Sequence, residues 1–171
     1  MLERRNNYSD LYSDFRWRLP ERFNIGVAVS DRWAETEPGR AAVIEYRAEG
    51  EPAVISFGEL GARSNAFANA LRTNGVRRGD RVALLLPQCF ETVIAHVAIY
   101  KLGAIAVPLA LLFGVEALEY RLHSAGVKAV VTNAAGHAKL KAIRDRLPEH
   151  ELVVVTDGAA MGDPGFAQLV A

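Results

Sequence analysis

The sequence predicts an α/β fold: a mostly parallel sheet with helices on both faces, plus an N-terminal β-hairpin. From Arg81 onward, apolar runs of strand length alternate with helix-length segments, and such alternation requires the crossover connections that make neighbouring strands parallel. The runs Val82 to Leu86 and Val153 to Val155 are apolar at consecutive positions, which suits strands covered on both sides. With 171 residues, 50% of them hydrophobic, the chain is long enough for one domain with a substantial core.

Taken in order, residues 1–22 read as an arm. Tyr8 to Trp17 mixes aromatic and charged residues with no clean period, a composition suited to packing on something larger. From Ile25 to Thr36, the residues Ile25, Val29 and Trp33 recur at helical spacing, with Asn24 as a cap and Pro38-Gly39 as a stop. Ala41 to Tyr46 and Ala53 to Phe57 are β-branched and aromatic runs joined by the polar stretch Arg47-Ala48-Glu49-Gly50-Glu51, so they predict the hairpin.

Ser56-Phe57-Gly58-Glu59 has the spacing of a capping box, in which the serine hydroxyl accepts from the glutamate amide and the glutamate carboxylate reaches back to the serine amide. The helix it opens carries Leu60, Phe67 and Leu71 on one side and stops at Gly75. Strand Arg81 to Leu86 ends at Pro87, and the segment Phe90 to Leu102, apolar on nearly all sides, reads as a buried helix stopped by Gly103. The pattern continues with strand Ala104 to Val107, helix Val115 to Ala125 stopped by Gly126, strand Val127 to Thr132, helix Ala138 to Leu147 and strand Leu152 to Thr156. Residues 158–171 read as a connector towards a further, catalytic subdomain, because Gly158 to Gly165 is loose in composition and the last residues are apolar.

Composition narrows the function. Lys and Arg total 20 and Asp and Glu total 20, so no net field attracts a polyanion and nucleic acid is not an expected partner. The lone Cys89 excludes a disulfide framework and a thiolate metal cluster, which fits a reducing cytoplasm. The N-terminal residues lack an apolar signal core, and no apolar stretch approaches the length of a membrane span.

A parallel α/β sheet invites a nucleotide, yet the sequence has no G-x-G-x-x-G turn, no G-x-x-x-x-G-K-[ST] loop and no G-x-S-x-G elbow. His96, His123, His137 and His150 do not pair at helical spacing, so no metal site is expected. His96, inside the apolar helix, reads as a histidine satisfied by a neighbouring backbone carbonyl. Cys89 follows a strand end, where ligands meet parallel sheets, but without an activating neighbour it reads as a small buried hydrophobe. Lys139, Lys141, Arg144 and Arg146 form a basic cluster on the helix Ala138 to Leu147, open to two readings: a phosphate contact or a solvated helical face.

Three segments carry a family resemblance: Ile55-Ser56-Phe57-Gly58-Glu59-Leu60, Arg63 to Leu71, and Gly75-Val76-Arg77-Arg78-Gly79-Asp80-Arg81-Val82-Ala83-Leu84-Leu85-Leu86-Pro87. With Ala98 to Leu109 and Leu118-Glu119-Tyr120-Arg121-Leu122, they make residues 23–157 resemble the N-terminal subdomain of the acyl-adenylate-forming (AMP-binding) synthetases. Phe23-Asn24 and Leu111 to Leu122 look most similar to acetyl-CoA and medium-chain acyl-CoA synthetases.

The resemblance implies an AMP-forming acid-CoA ligase that converts a short or medium-chain carboxylic acid, ATP and coenzyme A to acyl-CoA, AMP and pyrophosphate, with Mg2+ as the metal. It also implies that the phosphate loop, adenine segment, ribose-binding aspartate and catalytic lysine lie later in the family's chains. This chain is thus expected to hold no catalytic residue, to bind none of these cofactors tightly alone, and to need the C-terminal part of the same polypeptide as its partner. One motif carries over: Phe113-Gly114 matches a Phe-Gly that lies near the nucleotide end of coenzyme A in acetyl-CoA synthetases, although a simple helix-entry turn explains it too. Two alternatives stand beside the leading reading: the front subdomain of another adenylating enzyme (a peptide-synthetase adenylation domain or a long-chain fatty-acyl ligase), or a truncated non-catalytic binding module.

Overall fold

The structure, a computed structural model, describes residues 4–17, 20–46, 49–147, 152–157 and 165–170. Among the described residues, strands β3 (Arg81–Leu85), β4 (Ile105–Leu109), β5 (Val127–Thr132) and β6 (Leu152–Val155) form one sheet in the order β4-β3-β5-β6, every neighbouring pair parallel. A separate antiparallel hairpin pairs β1 (Ala41–Glu45) with β2 (Ala53–Ser56) in the register Val43 to Ile55 and Ile44 to Val54. The expected α/β class is therefore present, hairpin included.

The unalternating strands are covered on both sides, as their composition demands. Val82, Leu84, Ala129, Val131, Leu152 and Val154 face a core built with helices α3 (Phe57–Thr73) and α4 (Phe90–Leu102), where Leu60, Phe67, Leu71, Ile94 and Ile99 are buried. Ala83, Leu85, Val130, Val153 and Val155 face a second core with α5 (Val115–Ala125) and α6 (Ala134–Lys141), where Leu118, Leu122 and Leu140 are buried. Consecutive side chains on a strand alternate between the faces, so each strand feeds both cores. Helices α4 and α5 stop at Gly103 (φ 68°) and Gly126 (φ 56°), left-handed positions that a residue with a Cβ adopts only at a cost.

The capping box forms as the sequence predicts: Ser56 Oγ accepts from the Glu59 N–H at 3.2 Å and the Ser56 N–H donates to Glu59 Oε2 at 2.8 Å. Hydrogen bonding from the Ser56 backbone, then from its hydroxyl, holds the Glu59 carboxyl below its ordinary range.

Four expectations need correction. Tyr8 to Trp17 is not free of helix. Asn7 Oδ1 accepts from the Asp10 N–H at 2.9 Å and opens a short helix, α1 (Tyr8–Asp14), whose Tyr8 and Tyr12 remain exposed. A local cap suffices for about two turns without any buried stripe.

The helix expected over Ile25 to Thr36 is divided, a π turn (Val27–Asp31) leading into α2 (Arg32–Thr36). Asn24 does cap it, accepting from the Val27 N–H at 3.1 Å. Its periodic residues Ile25 and Val29 are half exposed, however, while Gly26 and Ser30 are buried. The reason is proximity: a Cβ on Gly26 would lie 2.7 Å from the Lys101 backbone nitrogen and 2.8 Å from the Val97 carbonyl oxygen, so the small face is the one that meets α4.

The helix expected over Ala138 to Leu147 begins earlier and ends sooner, at Ala134 and Lys141, with a separate 3-10 turn at Arg144–Arg146. Asn133 Oδ1 accepts from the Gly136 N–H at 2.9 Å and Asp157 Oδ1 from the Ala134 N–H at 2.6 Å. The second of these caps comes from the loop after β6, which no local pattern reveals. Strand β4 likewise runs past Val107 to Leu109, because at the sheet edge Pro108 forfeits no ladder bond.

The hairpin connection at Arg47 and Ala48 and the stretch 158–164 lie outside the described residues. Beyond that stretch, Phe166 in the short helix α7 (Phe166–Leu169) is buried against Phe67, ring centroids 4.5 Å apart, so this part of the expected connector packs into the core above α3.

Candidate functional site: the turn before helix α5

The chain leaves β4 at Leu109 and turns over Ala110 to Phe113, where the Phe113 N–H donates to the Ala110 carbonyl at 3.1 Å. Leu112, at the tip, is 95% exposed. Gly114 is the N-cap of α5 in an extended conformation (φ −68°, ψ 166°) that any residue adopts, and a Cβ there would meet nothing within 4 Å. Neither backbone strain nor packing within this chain therefore calls for glycine at 114. What remains is open space in front of the first turn of α5, with no side chain capping that turn.

Two cationic side chains hold the turn. The Arg121 guanidinium lies 4.2 Å from the centroid of the Phe113 ring and donates to the Ala117 carbonyl at 3.0 Å. Lys139 reaches from α6 and donates to both the Leu111 carbonyl (2.6 Å) and the Phe113 carbonyl (2.9 Å). Helix α6 can present it because Gly136 packs directly against Thr132 and Leu85 while Asn133 and Asp157 cap its start. The arrangement leaves the first amides of α5 open beside the exposed Arg121 guanidinium; it can bind and orient a ligand, and it contains no nucleophile paired with a base.

The basic cluster resolves into separate tasks. Lys139 serves the turn, Arg146 pairs with Glu119 at 3.2 Å, and the four residues divide between α6 (Lys139, Lys141) and the 3-10 turn (Arg144, Arg146). His96 Nδ1 lies 3.2 Å from the Tyr100 hydroxyl, so its partner is a side chain one helical turn on and not the backbone carbonyl the sequence suggests; burial pushes its pKa below the ordinary value. Cys89, half-buried at the N-cap of α4, has its sulfur 3.3 Å from the Thr92 hydroxyl, and burial raises its thiol pKa, the opposite of what a nucleophile needs. Among the described residues no three His, Cys, Asp or Glu side chains converge as metal ligands, and no helix is long and apolar enough to cross a membrane.

The sequence reading missed one further cluster. Lys101 Nζ, 7% exposed, meets Asp31 Oδ1 at 2.5 Å, Asn65 Oδ1 at 2.7 Å, Ser64 Oγ at 2.9 Å and the Gly61 carbonyl at 3.3 Å. It ties the π turn, α3 and α4 together. A lysine ending a helix reads as a solvated favourable charge, so nothing local signals its burial.

Comparison with known proteins matches residues 30–168 to the family described as AMP-binding enzyme. The chain is 30% identical to the human mitochondrial acyl-coenzyme A synthetase ACSM3 over 96% of this chain and 29% of that protein. It is 35% identical to the 3-hydroxypropionyl-coenzyme A synthetase of Sulfurisphaera tokodaii over 75% of this chain and 20% of that one. Among solved structures, the Brucella canis acyl-CoA synthetase superposes with a TM-score of 0.76 and 30% identity, covering 86% of this chain and 27% of that one. The chain thus spans less than a third of the length of each of these relatives.

Proposed function

The chain belongs to the AMP-binding enzyme family, and on that premise we propose that it forms the N-terminal part of an AMP-forming acid-CoA ligase acting on a short or medium-chain carboxylic acid. The whole reaction joins the carboxylate to the coenzyme A thiol while ATP is split to AMP and pyrophosphate. The observation carrying this reading is the family match over residues 30–168 together with relatives named as acyl-coenzyme A synthetases. The share of those relatives that the chain spans supports the view that further polypeptide supplies the remaining parts.

The residues on hand fit the cofactors unequally. ATP and magnesium need phosphate-cradling amides and convergent carboxylates; the described residues offer no convergent set of carboxylates, so no step is assigned to them here. Coenzyme A fits better. The Phe113–Gly114 turn offers an open approach to backbone amides beside fixed positive charge, and we assign it to the nucleotide end of coenzyme A. We further place the protein in the cytoplasm, a reading supported by its single, unpaired cysteine.

The test is pyrophosphate release with ATP, magnesium, coenzyme A and a panel of acids from acetate to octanoate, by the 171-residue chain and by the complete polypeptide that carries it. Turnover confined to the longer polypeptide supports the proposal. Turnover by the 171 residues alone overturns it, because a phosphate site would then exist within them.

A further inference from the structure

The turn between β4 and α5 is only partly anchored by its own side chains. Leu112 at its tip is 95% exposed, Leu111 and Phe113 pack partly buried against the second core, and one internal backbone bond runs from Phe113 to Ala110. The Leu111 and Phe113 carbonyls nevertheless converge on a single point, within 2.6 and 2.9 Å of the same nitrogen. Two carbonyl dipoles aimed at one point repel each other, and a cation between them offsets that repulsion. Lys139 is that cation, and it is delivered from an element 26 and 28 residues further along the chain.

We infer that Lys139 is a positioning residue for coenzyme A: it sets the direction of the Phe113 carbonyl and thereby the entry angle of Gly114 and the first amides of α5. Arg121, from α5, holds the Phe113 ring, its guanidinium 4.2 Å from the ring centroid. The inference rests on the assignment of the Phe113–Gly114 turn to coenzyme A. It gives Lys139 a role distinct from that of a free phosphate-binding cation, since two of its three ammonium hydrogens are engaged by main-chain oxygens.

The test uses three variants of the complete polypeptide. Lys139→Met keeps the stem and removes the donors; Lys139→Arg restores a fork able to reach two carbonyls; Gly114→Val fills the open space without straining an extended backbone. For Lys139→Met the KM for coenzyme A rises about tenfold, while the KM values for acid and ATP in coenzyme A-free ATP–pyrophosphate exchange move less than about twofold. Lys139→Arg recovers most of the loss, and Gly114→Val raises the coenzyme A KM on its own.

If Gly114→Val raises that KM and Lys139→Met does not, the positioning role is overturned and the coenzyme A assignment stands. If neither variant changes it, both fall. Equal losses with and without coenzyme A for Lys139→Met identify a general structural lysine and also overturn the inference.

Discussion

Replacing Lys101 with methionine keeps the aliphatic stem that packs beside Gly26 and removes the charge that joins three elements. Asp31 then loses a partner at 2.5 Å, and Asn65, Ser64 and the Gly61 carbonyl each lose a donor between 2.7 and 3.3 Å away. Breaking a buried ion pair by removing one partner costs about 3 to 5 kcal/mol. Lys101 is 7% exposed but Asp31 is 24% exposed, so water reaches the orphaned carboxylate and the cost sits near the lower end, about 3 kcal/mol. For a domain of this size that lowers Tm by roughly 6 to 12 °C.

Urea unfolding of the chain followed by tryptophan fluorescence reads it directly, because Trp33 lies 5.8 Å from the Phe57 ring and 4.7 Å below the Arg40 guanidinium, beside the π turn, while Trp17 is largely exposed. Adding Asp31→Asn completes a double-mutant cycle, in which the two costs overlap instead of adding. A loss below about 1 kcal/mol for Lys101→Met, or additivity within about 0.5 kcal/mol, refutes the idea that this pair clamps the π turn to α3 and α4.

Ser56→Ala removes the cap of α3 and lowers stability by about 1 kcal/mol in the same urea assay. Glu59→Gln tests the other half of the box through pH. Because the folded-state pKa of Glu59 is depressed, its contribution is complete above the unfolded value of about 4.3 and disappears as pH falls through the lower folded value, so the gap between wild type and Glu59→Gln closes in acid. A gap of constant size down to about pH 2 would contradict this. Gly26→Ala sets two effects against each other: helix propensity favours alanine by about 0.5 to 1 kcal/mol, whereas overpacking costs about 1 to 3. The Cβ would press on backbone atoms of Lys101 and Val97, so overpacking wins and Tm falls; a rise in Tm would show that the π turn can slide.

Much of the fold was legible because its signals are local. The capping box at Ser56 to Glu59, the glycine stops at Gly103 and Gly126, and the strand and helix periods each depend on residues within one turn or one pleat of each other. The candidate turn at Phe113–Gly114 was visible only through family resemblance, since nothing in its spacing calls for a ligand.

What the tertiary structure alone decided are the long-range contacts. Asp157 completes the start of α6 from the end of the neighbouring strand β6, and Gly26 rather than Ile25 faces α4, because backbone proximity outweighs hydrophobic periodicity there. Lys101, a helix-end lysine that reads as a surface charge, becomes a buried clamp, and Lys139, open in sequence to a phosphate contact or a solvated face, becomes a brace for a turn. A lysine's flexible stem lets its charge reach partners far along the chain, so its role follows from which elements the fold brings near, and that is written in no short stretch of sequence.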